Sequence, residues 1–163
     1  VADEVPEDWF ASGRLAELGS AMVRTMIEEQ GVGLAAPQVA ESLRLFSYWV
    51  PETDEHPAIA PTLLVNPEIR AIGDDVEEGW EGCLSIPGLR GLVPRPCRVK
   101  VKARTVEGEP ISLTADGFHA RVIQHEYDHL QGVLLVDRMT PSDKMRNRGA
   151  VEELRERYRE MRL

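Results

Sequence analysis

Two histidines four residues apart, His125 and His129, enclose Glu126 in the string Gln124-His125-Glu126-Tyr127-Asp128-His129. On a helix, positions i and i+4 lie about 40° apart around the axis and about 6 Å apart along it, so both imidazoles can reach one ion. Glu126 is rotated roughly 100° from His125, too far round for a comfortable third ligand but well placed to take a proton from a water beside the ion. An ordinary charged helix face would show the same string, so a third ligand has to decide. In zinc peptidases that ligand is a His or Glu further downstream. Here no histidine follows His129, and the later glutamates fall in the C-terminal stretch. Cys83, in Gly79-Trp80-Glu81-Gly82-Cys83-Leu84-Ser85, is the better candidate, because Gly82 lets the backbone approach a crowded site. Taken alone, Cys83 reads equally well as a buried thiol. His119 would lie ~10 Å back along the axis from Glu126 and reads as a surface or supporting histidine. His56, isolated in a loop, reads as solvated.

The elements that must hold these residues follow from periodicity. Leu15, Leu18, Met22 and Met26 recur at helical spacing, which predicts an amphipathic helix over 12–30 that stops before Gly31. Residues 31–38 read as a tight loop. Strands are predicted over 44–50 and 63–66, with a Pro- and acid-rich surface loop over 51–61 between them. Val99, Val101 and Ala103 alternate with Lys100, Lys102 and Arg104, the pattern of a half-buried strand. Glu107-Gly108 then turns into Ile111-Ser112-Leu113 to make a hairpin, and Cys97 shares the inward parity of a buried structural thiol. The metal-binding helix is predicted over 117–131, closed by Gly132. A last helix over 139–163 would carry Val151, Leu154, Tyr158 and Met161 as its apolar stripe. Glu81, Arg90, Arg95 and Asp128 stand in or beside the motifs, where ion pairs would orient ligands, with partners that the sequence leaves open.

Composition narrows the setting. A chain of 163 residues with 42% hydrophobic content suits one buried core. A net charge of −9 argues against broad affinity for DNA or anionic membranes. Two cysteines, Cys83 and Cys97, are too few for a disulfide framework and favour a reducing compartment, the cytoplasm first. No apolar run reaches the ~18 residues of a membrane span, and the acidic start is unlike a signal peptide. The chain opens on Val1 rather than Met, as processing or trimming would leave it.

Three segments together resemble the peptide deformylase family. They are Gly31-Val32-Gly33-Leu34-Ala35-Ala36-Pro37-Gln38, Glu81-Gly82-Cys83-Leu84-Ser85, and Gln124-His125-Glu126-Tyr127-Asp128-His129, unbroken and in the family's order. The resemblance runs from about residue 12 to about residue 140 and implies an α+β fold. Antiparallel or mixed β-sheets would surround a central metal-binding helix, with an N-terminal and a C-terminal helix. A single catalytic domain over 1–163 is expected, with 141–163 as the C-terminal helix. Only a short acidic stretch precedes the first helix where the family has an extended piece, so an N-terminal strand is not expected here.

Residue by residue, the resemblance makes Cys83, His125 and His129 the ligands of one divalent metal ion, with a fourth position open to water. Glu126 becomes general base and then acid in hydrolysis of an N-formyl group from formyl-methionyl peptides, releasing formate. The Gln38 side-chain amide and the Leu84 backbone N–H would hold the developing oxyanion. The 31–33 backbone would bond an extended substrate, with Val32, Gly33, Phe118 and Val122 as its binding residues. Val32, Phe118 and Val122 would line a pocket for methionine, although core packing would use such residues equally well. The donor set does not choose between zinc and ferrous iron. The resemblance points to ferrous iron as the working metal, with zinc, nickel or cobalt as ions a purified protein would carry. It also points to N-formylated nascent peptides as partners and to ribosome contact through the basic C-terminal helix. A bacterial cytoplasm is expected ahead of an organelle. Two rivals are a metallopeptidase or amidase for another N-acyl group, and a structural metal site with four protein ligands.

Overall fold

The computed structural model describes residues 1–160. In chain order it contains α1 (Glu7–Ala11), α2 (Arg14–Glu28), β1 (Gly33–Ala35), a 3-10 turn (Ala36–Val39), β2 (Leu45–Val50) and β3 (Ile59–Ala71). There follow β4 (Val76–Gly82), β5 (Arg90–Pro96), β6 (Arg98–Arg104), β7 (Pro110–Asp116), α3 (Gly117–Leu130), α4 (Leu135–Arg138), α5 (Pro141–Arg146) and α6 (Arg148–Glu160). The strands form a five-stranded antiparallel sheet in the order β1-β2-β3-β6-β7, and a separate antiparallel ribbon of β4 and β5.

The α+β arrangement expected from the sequence is what forms. α3 lies on the inner face of the large sheet and buries Ala120, Val122, Ile123 and Leu130 against Phe46, Leu64, Val99 and Val101. His125 and His129 on the same helix meet Glu81 and Cys83 at the end of the β4–β5 ribbon, while Glu126 lies against Gly33 of the edge strand β1. α2 covers a second cluster through Leu15, Met22 and Met26. Gly19 on α2 lets Leu63 pack close there, since a Cβ would come 2.6 Å from Leu63 Cδ1. The alternation over β6 holds: Val99, Val101 and Ala103 are buried while Arg98 and Lys102 are exposed.

Several boundaries differ from the pattern reading, each for a physical reason. β3 begins inside the stretch read as a loop and runs through Pro61 and Pro67. Both prolines are tolerated because Pro61 precedes the residues that pair with β6, and Pro67 falls where the β3–β6 register shifts between Val65 and Glu68. The β4–β5 ribbon was not foreseen, because Glu77, Glu78, Gly79, Pro94 and Pro96 interrupt any hydrophobic alternation. Cys97 is half-buried rather than buried, since it is the joint at which the chain leaves the ribbon for the large sheet. His119 packs on Tyr48, with ring centroids 5.3 Å apart. His56 is not simply solvated: its ring stacks on Phe118 at 6.2 Å. The N-terminal segment contributes a single parallel bridge, Asp3 to Leu43, rather than a strand.

The helix read over 139–163 is divided. Thr140 and Pro141 start α5, with the Thr140 hydroxyl accepting from the Asp143 N–H, and α5 ends at Arg146, leaving Asn147 between it and α6. Asp143 explains the break: its buried carboxylate accepts from the Leu92 N–H at 2.6 Å, which pins α5 to β5. Val151 and Leu154 of α6 then pack on Ile86, Leu89 and Val93, while Met161 lies outside the described residues. No helix among the described residues is long and apolar enough to cross a membrane.

Candidate metal centre

Cys83 follows directly on β4, and His125 and His129 occupy successive turns of α3. One donor atom from each lies within 4.8 Å of the others, and Cys83 Sγ is 3.4 Å from His129 Nε2. The two imidazoles meet edge to face at 5.1 Å. His125 Nδ1 is 2.9 Å from Glu81 Oε2, which leaves the Nε2 lone pair as the one free to ligate an ion. The ligand candidates read from sequence are thus brought to one point from two separate elements.

The charged residues left unpaired by the sequence form a buried network behind them. Arg95 donates from Nε to Glu81 Oε1 at 2.9 Å and from NH1 to Asp128 Oδ2 at 2.6 Å. Arg138 reaches the same Asp128 carboxylate at 2.9 Å. Arg90 stays at the rim and takes no part. Arg121 and Arg138 escaped the sequence reading, although Arg121 stands four residues before His125 and so shares its helix face, a signal that was available.

The electrostatics follow from this crowding. Burial pushes the Glu81 carboxyl up, but His125 and Arg95 outweigh it and hold it at about 2. Burial likewise raises the Cys83 thiol, and His125 and His129 bring it down to about 5. Burial pulls His125 down, whereas Cys83 and Glu81 push it up to about 10. Burial carries Glu126 up to about 7 against the opposing pull of His125 and His129. A soft thiolate and two imidazoles are a donor set suited to a divalent transition metal. Glu126 Oε2 supports that fit, since it is buried and has no hydrogen-bond partner among the described residues. A buried carboxylate oxygen without a donor is costly, and a water or substrate group beside the ion would satisfy it.

Gly33 is the seat of Glu126. A Cβ on Gly33 would overlap the Glu126 carboxylate, so the glycine of β1 and the glutamate of α3 are sterically matched. Gln38, in the 3-10 turn, accepts from the Ala35 N–H at 2.8 Å through Oε1, which turns its Nε2 toward the site. Nε2 donates to Ser85 Oγ at 2.8 Å and lies 3.7 Å from Cys83 Sγ. Ser85 was not singled out from the sequence. Leu84 stands next to Cys83 on the wall of a cleft of about 590 Å³. Val32, Gly33, Phe118 and Val122 all line that cleft, together with Trp80 and Leu89. The Gly33 contact gives a direct test: Gly33→Ala is expected to cut turnover by about 100-fold or more while metal content stays stoichiometric, because the Glu126 carboxylate is displaced and Cys83, His125 and His129 are not. Kinetics beside metal analysis would check it, and an active Gly33→Ala enzyme would contradict the role given to that contact.

The polypeptide deformylase family model matches residues 1–145. Peptide deformylase 2 of Pseudomonas putida is 46% identical over 142 residues, covering 85% of this chain and 80% of that protein. Peptide deformylase 1 of Bordetella pertussis is 44% identical over 137 residues, covering 82% and 78%. Among solved structures, a class I type b peptide deformylase from Acinetobacter baumannii with Met-Ala-Ser bound superposes with a TM-score of 0.80 at 42% identity, over 85% of this chain and 89% of that one. Peptide deformylase 1B of Arabidopsis thaliana gives 0.87 at 35% identity, over 99% and 87%. The chain belongs to the peptide deformylase family, metal-dependent hydrolases that remove the N-formyl group from nascent peptides.

Proposed function

We propose that this chain acts as a single catalytic domain in which Cys83, His125 and His129 hold one divalent ion and Glu126 moves the proton in deformylation of formyl-methionyl peptides. The observation that carries the reading is the Glu126 carboxylate, seated against Gly33 with Oε2 unpartnered, beside the three donors. When bound, the ion would lower the pKa of a water toward neutrality and polarise the formyl carbonyl. Glu126 accepts the proton of the attacking water and returns it to the amine nitrogen as the C–N bond breaks, so that formate and a free N-terminus leave. The Gln38 Nε2 and the Leu84 N–H offer donors to the oxygen on which charge develops. Gln38 is prepared for this by its anchor on Ala35.

Substrate recognition divides between backbone and pocket. The 31–33 backbone presents main-chain groups to an extended peptide, which tolerates many sequences. Val32, Phe118 and Val122 form the apolar wall for the first side chain, in keeping with the Met-Ala-Ser held by the Acinetobacter baumannii relative. Room for a formyl hydrogen but little more would separate this activity from that of a broader amidase. Formate release from a formyl-Met tripeptide, beside acetate release from its acetyl counterpart, should favour the former strongly. Glu126→Ala should keep the metal and lose nearly all turnover; a tenth of the activity remaining would count against the glutamate.

The working ion is ferrous iron in this reading. An iron centre with a thiolate ligand is open to oxidation, as is the thiolate. Apo-enzyme reconstituted anaerobically should be most active with iron and decay in air, hold activity longer with nickel or cobalt, and turn over poorly with zinc. A zinc form equal to the iron form in turnover would remove the iron assignment and leave the hydrolysis intact.

The site of action is the bacterial cytoplasm, at the ribosome, with α6 as the contact. Arg155, Arg157 and Arg159 are exposed on its last turns, with Glu156 and Glu160 between and after them, on a protein of net charge −9. Deleting the helix would be a poor test, because Val151 and Leu154 pack on Ile86 and Leu89 and so support the cleft wall. Replacing the three arginines by glutamine should weaken co-sedimentation with ribosomes and spare activity on free peptides. Unchanged co-sedimentation would reject the contact.

A further inference from the structure

Arg121 lies one helical turn before His125, and its side chain is only 11% exposed. Its NH1 donates to Glu81 Oε1 at 3.0 Å and to the Val93 carbonyl at 2.7 Å, and its NH2 donates to the Glu77 carbonyl at 2.8 Å. Glu77 and Glu81 belong to β4 and Val93 to β5, so one guanidinium from α3 bonds both strands of the ribbon. Gly79, paired with Val93, forms the floor beneath it, and a Cβ there would come 2.7 Å from the guanidinium carbon. A planar fork with several fixed donors suits this arrangement, whereas a lysine ammonium could not span the same three acceptors.

The ribbon is fastened to α3 at a second point by the reverse arrangement, in which Arg95 of β5 reaches Asp128 of α3. Two fastenings from opposite elements prevent a pivot that one would allow. The consequence falls on the metal centre, because Glu81 and Cys83 are both carried at the end of β4 while His125 is carried on α3. If the ribbon turned about the Arg95–Asp128 bond, Cys83 would move relative to both histidines, and Glu81 would release or twist His125.

We propose that Arg121 is a positioning residue for the metal centre, fixing Glu81 on His125 and the Cys83-bearing strand on α3, with Gly79 leaving room for its guanidinium. The inference rests on reading Cys83, His125 and His129 as metal ligands. Partners of metal-ligating histidines typically change affinity or activity by about 10–100-fold when removed.

The test uses the full chain loaded with cobalt(II), whose thiolate charge-transfer and ligand-field bands report ligand geometry. Arg121→Met and Gly79→Ala are compared with wild type for these bands, for the rate of cobalt loss to a chelator, and for kcat, KM and melting temperature. Gly79→Ala displaces the guanidinium without removing it, and so stands in should Arg121→Met fail to fold. Both variants are expected to shift the bands and to lose cobalt about 10-fold faster or more, with the loss in kcat/KM falling mainly on kcat, and Arg121→Lys is expected to restore little. A lower melting temperature with unchanged bands and unchanged cobalt release would assign Arg121 to stability alone and overturn the proposal. If wild type itself takes up no cobalt with a Cys83-dependent charge-transfer band, the metal reading fails, and the role of Arg121 fails with it.

Discussion

The Glu81 carboxylate accepts hydrogen bonds from Arg95, from Arg121 and from His125, and it does so almost wholly out of contact with water. A buried carboxylate with so many donors is locked in place, because losing any one would leave a charge uncompensated in a low-dielectric interior. That lock joins the two-stranded ribbon to the central helix, which have little apolar surface in common. It also decides which nitrogen His125 presents. Asp128 extends the same network through Arg95 to Arg138, so the helix segment that carries His125 and His129 is held by charge as well as by the hydrophobic sheet.

Close approach is the second constraint, and it acts through glycine. Gly33 admits the Glu126 carboxylate, Gly79 admits the Arg121 guanidinium, and Gly91 admits the Met139 side chain. In each case a main chain of one element lies against a functional or anchoring side chain of another. The absence of a Cβ allows contacts that any other residue would push apart. A catalytic site that tolerates only small displacements benefits from such contacts, since they leave the side chain nowhere else to go.

The C-terminal helices belong to the same mechanical unit as the cleft. Asp143 binds the exposed edge of β5, and Val151 and Leu154 cover Ile86 and Leu89, residues that also line the cleft. Loops that bear functional groups are usually mobile. The 83–89 loop is instead confined by Gln38 on one side and by α6 on the other, and Tyr158 adds a hydrogen bond to the Ser85 carbonyl. The exposed arginines of α6 and the support it gives the cleft are therefore separate properties of one helix.

The sequence by itself determined the pair His125 and His129 and the placement of Glu126 between their directions, because i and i+4 spacing on a helix is set by local backbone geometry. It determined the β6–β7 hairpin through strict alternation, and most of α2 through helical spacing. Cys83 stood between third ligand and buried thiol on its residues alone, Gln38 and Leu84 came from the resemblance of whole motifs, and the fold brings all three to one cleft. Only the tertiary structure decided the β4–β5 ribbon, whose prolines, glycine and acids mask its alternation, and the break at Asn147, which depends on Asp143 finding a backbone N–H on β5. It alone paired Glu81 with His125, 44 positions apart, and gave Arg121 its acceptors on both strands of the ribbon. Local spacing fixes what one element can present. Which charges meet across two elements depends on their register and mutual orientation, and that is set by packing of the whole chain.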